Sequence, residues 1–542
     1  MKSIGIFYFR RDLRLNDNYA LRTLCRACDL IVPVFCLDPR QIQPKHNPFY
    51  SPASVKCMFE SLVDLNKQIQ THSKQSELII LQGKPEVCIC ALVHTLCKTY
   101  QHCSVAWNED NTPFSVQRDA NLIHQLTHKH PTVQIVTNHD DVTIVPIRNI
   151  RTNTNTLYKV FTPFYRKAVS KGVKRMHTLP RTQFIDTSAI HSKQTSLRVD
   201  QLLQHKTFAH LTDVRSAVAG GRTEALQRLA PAYIVERCRK YNTERNHTWE
   251  EKTTRLSAYL KFGCVSFREA YHHIHNALHT NHPVACEALT RELFWNAFYG
   301  YVAYHFPDVL KGQLNAFPRS VQTKRRPRPA AEQTKKARRP LPHRNQEMIV
   351  PLRGTSASLW ENRATQHVAL TKWKEGLTGF PYVDAAMRQL KTTGWMHNRA
   401  RMVVASFLVK DLRVDWRKGE RHFAQHLVDY DPASNNGGWQ WAASTGADAQ
   451  PYHRIFNPWT QSFKFDPNGV YIKKYITELN TNRITATDLH HWYDAHIRHK
   501  YENDETVSTY PSPVVVHSTA RVETLRRWKA LKSHQQSGSF TV

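Results

Sequence analysis

The chain has 542 residues, 41% of them apolar and 10% aromatic, with 12 Trp. That composition excludes a disordered polymer, and the length implies two or three domains, each able to bury its own core. Lys and Arg number 75 against 44 Asp and Glu, a net charge of +31, and an excess of that size points to a polyanionic partner, nucleic acid foremost.

Short apolar runs at 4–9, 31–35, 78–81, 104–107 and 133–136 alternate with amphipathic stretches of helical length. The alternation predicts an α/β domain over residues 1–140, Rossmann-like, with a parallel sheet and crossover helices. It holds no GxGxxG and no P-loop, so the residues alone leave its ligand class open. Its one Cys-x-x-Cys, Cys25 to Cys28, has no second pair at zinc spacing downstream, so the 11 Cys read as reduced core thiols and no metal is expected. The N-terminus has no apolar segment before a small-residue cleavage site, and no apolar run is long enough to span a bilayer. The expectation is a soluble intracellular protein, in the cytoplasm or nucleoid if bacterial and in the nucleus if eukaryotic.

Residues 141–240 read as a polar connector carrying an aromatic-rich piece, YKVFTPFYRKA. From 241 to 479 the apolar spacing is helical, as in DAAMRQLKTTGWMHNRARMVVASFLVKDL, which predicts an all-α domain; 480–542 form a C-terminal extension. Within the helical region, 319–345 is dense in Lys, Arg and Pro and cannot form a core. It is expected to be a disordered surface insertion whose basic clusters contact DNA, serve as a nuclear address, or are merely solvated.

Four stretches carry chemistry. Thr253, Thr254, Arg255, Leu256 and Ser257 form a hydroxyl-rich helix start, either a phosphate site or an N-cap without a ligand. In RELFWNAFY, Glu292, Trp295 and Tyr299 fall on one helical face, where aromatics beside a carboxylate can hold an extruded base. In GWMHNRARM, the spacing of Trp395, Asn398 and Arg401 or Met402 predicts one helical face suited to a polar heterocycle, or else a helix end with an aromatic anchor. In DYDPASNNGGWQW, carboxylates and amides can meet the edge of a flavin or nucleobase while the glycines admit close approach. Taken singly, NNGG is more often a turn than a site, and a WxW pair is more often core. Asp429 is placed to pair with Arg401.

In this order, these motifs resemble the photolyase and cryptochrome family. The resemblance runs through FRRDLRLNDNYAL, WNEDNTPFSVQRD, YKVFTPFYR, GFPYVDAAMRQL, GWMHNRARM, SNNGGWQWAASTG, YHRIFNP and YPSPVVVHSTAR. It spans nearly the whole chain except the basic insertion and parts of the connector and tail. It implies an α/β antenna domain and a helical domain holding FAD in a U shape.

By motif match, Tyr241, Thr253, Thr254, Arg255, Leu256 and Ser257 would hold the FAD phosphates and ribose. Trp395, Asn398, Arg401, Asp429, Asp431 and Asn435 would surround the flavin and adenine, with Asn435 against flavin N5. Trp439, Trp416 and Trp360 would pass electrons to the flavin. Glu292, Trp295, Asn398, Arg399, Met402 and Trp441 would cradle a flipped pyrimidine dimer, Glu292 stabilising charge that develops on it. Asn108, Glu109 and Lys311 match contacts to a 5,10-methenyltetrahydrofolate antenna; a deazaflavin or flavin antenna is the alternative.

Asn296 departs from the family pattern, which favours Arg after the Trp. Met402 favours cyclobutane dimers, since (6-4) photolyases resemble one another in a His-rich version of this segment. The activity implied is light-driven cleavage of cyclobutane pyrimidine dimers in UV-damaged DNA by electron transfer from reduced FADH⁻. A (6-4) photolyase and a cryptochrome photoreceptor are the rival readings, and a monomer is the default state.

Overall fold

Ile4–Phe9 (β1) and Leu30–Leu37 (β2) bury every residue, as strands covered on both faces must, and this is why they read as unbroken apolar runs. With Ile79–Gln82 (β3), Cys103–Asn108 (β4) and Gln134–Asn138 (β5) they form one parallel sheet in the order β3-β2-β1-β4-β5. The computed structural model describes residues 2–139, 141–188, 197–311 and 364–536. The basic segment 319–345 and Trp360 lie outside the described residues.

The strands are joined by helices Tyr19–Ala27 (α1), Pro52–His72 (α2), Pro85–Leu96 (α3) and Pro113–Lys129 (α4). Local chemistry starts most of them: the side chains of Asn18, Ser51 and Thr112 accept from Leu21, Ser54 and Ser115 N–H, with Pro at the first turn of α2, α3 and α4. The strand order reverses at β1, which makes the segment leaving β1, Arg10 to Asn18, the lip of the crevice at the switch point.

After Phe161–Ser170 (α5), no strand follows β5 among the described residues. The elements that build the site are Ser257–Phe262 (α6), Phe267–Leu278 (α7), Pro283–His305 (α8), Pro381–Thr393 (α9), Asn398–Ser406 (α10), Trp416–His426 (α11) and Pro432–Ala443 (α12). The predicted division into an α/β half and a helical half is what the chain adopts.

The two halves share a core. Phe7, Phe9 and Leu13 bury in the same cluster as Phe262, Phe294, Phe298 and Trp395. A buried ion network backs this contact: Arg268 of α7 reaches Asp17 Oδ2 and Asp141 Oδ1, both at 3.0 Å, while Arg14 also pairs with Asp141. Charges this deep persist because each is partnered and hydrogen-bonded. All 11 Cys are free. Among the described residues, no cluster of His, Cys, Asp or Glu is arranged to hold a metal, and no helix is long and apolar enough to cross a membrane.

Candidate functional site

Helix α12 begins at Asp431, whose side chain caps it by accepting from Ser434 N–H at 2.9 Å. Asp431, Asn435 and Gly438 are spaced by four and three residues and so share one face. The paired glycines do different things. A Cβ on Gly437 would lie 2.2 Å from the Tyr299 ring, so Gly437 lets α12 close on α8, whereas a Cβ on Gly438 would meet nothing within 4 Å. The Asn435 amide donates to the Glu420 backbone carbonyl at 3.1 Å and to Glu420 Oε1 at 3.2 Å. Both donors are thus engaged behind the residue, and its carbonyl oxygen is left as an acceptor. Burial pushes the Glu420 carboxyl up to about 7.

Gly394, at φ +66°, caps α9 in the left-handed region, and His397 then caps α10 by accepting from Arg399 N–H. Trp395 therefore sits in the turn between two helices, not on one helical face with Asn398 and Arg401 as its spacing predicts. The glycine ends one helix and the histidine starts the next, which breaks the period. Trp395 is buried beneath the Arg255 guanidinium, 4.5 Å from the ring centroid. Arg401 makes the expected pair with Asp429, Nη2 lying 2.8 and 3.1 Å from its two oxygens.

Burial and neighbouring arginines push His397 down to about 3, so the imidazole is neutral. Its Nδ1 accepts from Arg399 N–H, which leaves Nε2 as an N–H donor. The Arg245 backbone lies close enough to the imidazole to raise it against its burial, whereas Nε of Arg255 is buried without a hydrogen-bond partner. Both side chains pack against Trp395. Buried donors are rarely left unpaired, so Arg255 Nε is available to a bound group.

Thr253, Thr254 and Arg255 precede α6, with Arg255 at φ +51°. The helix has six residues, too short for a large macrodipole, so any phosphate there would be held chiefly by the Thr253, Thr254 and Ser257 hydroxyls. Tyr241 is buried beneath the Arg245 guanidinium, and desolvation raises its hydroxyl well above the ordinary range.

On α8, Glu292 pairs with Arg245 at 2.9 Å, both side chains half-exposed. Arg399 Nε and Nη2 donate to Asn246 Oδ1 at 3.0 and 2.8 Å, and its guanidinium lies 4.6 Å from the Phe465 centroid. Trp295 already stacks on Phe161, ring centroids 3.6 Å apart and 7° from parallel, so one face of the indole is taken. Met402 and Trp441 are partly buried against the apolar cluster that holds Trp416 and Trp439, and Asn398, at the first position of α10, is exposed. Asn296 donates to the Ser434 hydroxyl at 3.0 Å, tying α8 to α12.

Trp439 and Trp416 are buried. Trp373, which no motif singled out, is fully buried with its ring 6.1 Å from Trp439 at 74°. Arg245, Asn246 and Glu420 were likewise missed, because only folding brings these polar side chains to the motif residues.

Asn108 spends its amide inside the α/β half. Its Nδ2 donates to Asp12 and Asn18 at 2.6 and 2.8 Å, and its oxygen accepts from Ala20 N–H. Glu109 holds Arg148 at 2.7 Å. Lys311 closes the 3₁₀ turn Pro307–Lys311.

The family description "DNA photolyase" matches residues 5–183, and "FAD binding domain of DNA photolyase" matches residues 289–530. Among curated relatives, the deoxyribodipyrimidine photo-lyase of Alkalihalophilus pseudofirmus is 33% identical, the match covering 97% of this chain and 98% of that one. The Escherichia coli protein of that name is 31% identical over the same shares. Among solved structures, the archaeal photolyase from Sulfolobus tokodaii with two FAD molecules is 31% identical at a TM-score of 0.73, covering 97% of this chain and 100% of that one. A Synechocystis cryptochrome, 24% identical at a TM-score of 0.76 over 97% and 99%, shares the fold. With relatives this similar along its full length, the chain belongs to the DNA photolyase family, and its helical half is that family's FAD-binding domain.

Proposed function

We propose that the chain is a deoxyribodipyrimidine photo-lyase that splits cyclobutane pyrimidine dimers in UV-damaged DNA. The observation that carries this reading is the Asn296 to Ser434 bond. It sets the helix bearing Glu292 and Trp295 beside the helix bearing Asp431 and Asn435, so a dimer at one lies next to a flavin at the other. FAD suits the second surface: an unpartnered buried donor on Arg255, open space at Gly438, and a carbonyl acceptor on Asn435. When bound, FAD supplies the light-driven electron to the dimer and takes it back, chemistry that belongs to the cofactor.

The chain's own residues bind and orient. Tyr241, Thr253, Thr254, Arg255, Leu256 and Ser257 hold the phosphates and ribose. Trp395, Asn398, Arg401, Asp429, Asp431 and Asn435 enclose the rings. Glu292 hydrogen-bonds the base edges and stabilises charge building on the dimer. Trp295, through the face that Phe161 does not cover, and Trp441 offer apolar walls that replace the lost base stacking, with Met402, Asn398 and Arg399 completing the cradle. Trp439 and Trp416 would pass electrons to bound flavin. For the antenna we keep methenyltetrahydrofolate against Glu109 and Lys311, with Asn108 fixing the end of β4 through Asp12 and Asn18. All these residues come from one chain, so a monomer suffices.

The test is blue-light-dependent loss of cyclobutane dimers from irradiated DNA, with a dark control, the absorption spectrum, and (6-4) products counted separately. Light-dependent dimer loss with a flavin spectrum is expected. Flavin photoreduction without repair would mean a photoreceptor, and repair of (6-4) products alone would overturn the assigned substrate.

A further inference from the structure

Arg11 belongs to the α/β half yet reaches into the cofactor half. Its backbone is seated without slack: Leu13 N–H donates to Phe262 O at 3.0 Å, and a Cβ on Gly263, the left-handed cap of α6 at φ +65°, would lie 2.0 Å from the Arg11 carbonyl oxygen. From there the guanidinium serves three segments. Nε donates to the Lys261 carbonyl in α6 at 3.1 Å, Nη1 faces both oxygens of Asp110 at 3.3 and 3.4 Å, and Nη2 bonds Asp431 Oδ2 at 2.6 Å.

Asp431 Oδ1 already caps α12, so with Arg11 on Oδ2 the carboxylate is pinned at both ends. We propose that Arg11 is a positioning residue for FAD, fixing the Asp431 carboxylate and the first turn of α12 relative to α6 so that the α/β half completes the cofactor site. The inference rests on the reading of Asp431 as an FAD contact. A charge-assisted fork of this kind imposes geometry as well as attraction, which a lysine reproduces only in part.

The charged and titratable groups around Asp431 are Arg11, Lys261, Asp110, Asp429 and Tyr430. Arg11 and Lys261 together hold Asp431 below the usual carboxylate range against its burial. Lys261 is itself pushed down to about 8 by burial and by the Arg11 charge; it stays charged below that pH but acts on Asp431 only through space, without the hydrogen bond that Arg11 makes.

The experiment is FAD titration of the full-length apoprotein by flavin fluorescence between about pH 5 and 8, around the range where a buried carboxylate titrates. Wild type is compared with Arg11→Gln, Arg11→Lys, Asp431→Asn and the double variant Arg11→Gln/Asp431→Asn, and apoprotein melting is followed alongside. Arg11→Gln is expected to weaken FAD binding by about tenfold or more and to make it fall towards acid pH, where Asp431 then protonates. Arg11→Lys should recover part of both effects, and the double variant should bind little worse than Asp431→Asn.

Wild-type affinity in Arg11→Gln would overturn the proposal, as would a pH-independent loss that Lys does not rescue, or losses that add in full. If Arg11→Gln fails to fold, the pH profile of Arg11→Lys against wild type decides in the same way. A wild-type chain that takes up no FAD would overturn the functional reading itself, and this proposal with it.

Discussion

Asn296 of α8 donates its side-chain amide to the hydroxyl of Ser434 in α12 at 3.0 Å. A short neutral hydrogen bond thus ties the two helices together. Asn296→Ala should cost about 1 kcal/mol, the worth of one such bond, read as a lower melting temperature. It should lower repair yield more than FAD content, because the bond sets the spacing between the dimer and cofactor surfaces. Unchanged repair at full FAD loading would count against that role.

The two adjacent glycines predict opposite outcomes. Gly437→Ala drives a methyl into the Tyr299 ring and should destabilise the apoprotein by about 1–3 kcal/mol through overpacking. Gly438→Ala meets no protein atom and should stabilise the apoprotein by up to about 1 kcal/mol through helix propensity, while weakening FAD binding. Thermal melts with and without FAD separate the two.

Glu420 gives a pH-dependent expectation. Its folded carboxyl sits near 7 against an ordinary 4.5 because burial disfavours the charge. Below 4.5 its stabilising contribution is fully present, and it is lost as pH rises towards and through 7, because the folded chain then holds a proton that the unfolded chain has released. Glu420→Gln should therefore be more stable than wild type by a few kcal/mol near pH 8, on the order of 1.4 kcal/mol per unit of raised pKa. The advantage should shrink towards pH 5. Urea unfolding at both pH values checks the sign, and equal differences at the two would refute it.

Trp439→Phe should slow photoreduction of oxidised flavin by about tenfold or more, an effect on the scale of 1.4 kcal/mol in barrier, while the chemically reduced enzyme still repairs dimers. Trp373→Phe tests its neighbour, 6.1 Å away. A slower photoreduction there would enrol Trp373 in the electron path, and an unchanged rate would leave it a core residue.

Trp295→Ala should weaken binding to dimer-containing DNA more than to undamaged DNA, by about 1–3 kcal/mol for a lost stacking contact. Equal losses on both, measured by competition, would remove its stacking role. Phe161 already occupies one face of the ring, so any base must use the other.

The parallel sheet was legible because strands buried on both faces are unbroken apolar runs, and the helical half because its apolar residues keep a helical period. The motif residues were legible because several of them, Glu292 with Trp295 and Asp431 with Asn435, lie within one helix, where spacing alone sets the shared face. Where a break intervened, spacing misled: Gly394 and His397 end one helix and start another, and Trp395 falls between them. By itself the sequence determined secondary structure, charge and motif order, all properties of neighbours along the chain. Only the tertiary structure decided that Arg11 meets Asp431 across 420 positions, that Glu420 backs Asn435 and that Asn108 spends its amide indoors. Such contacts depend on how whole elements pack, and no local period records which polar groups that packing brings within hydrogen-bond reach.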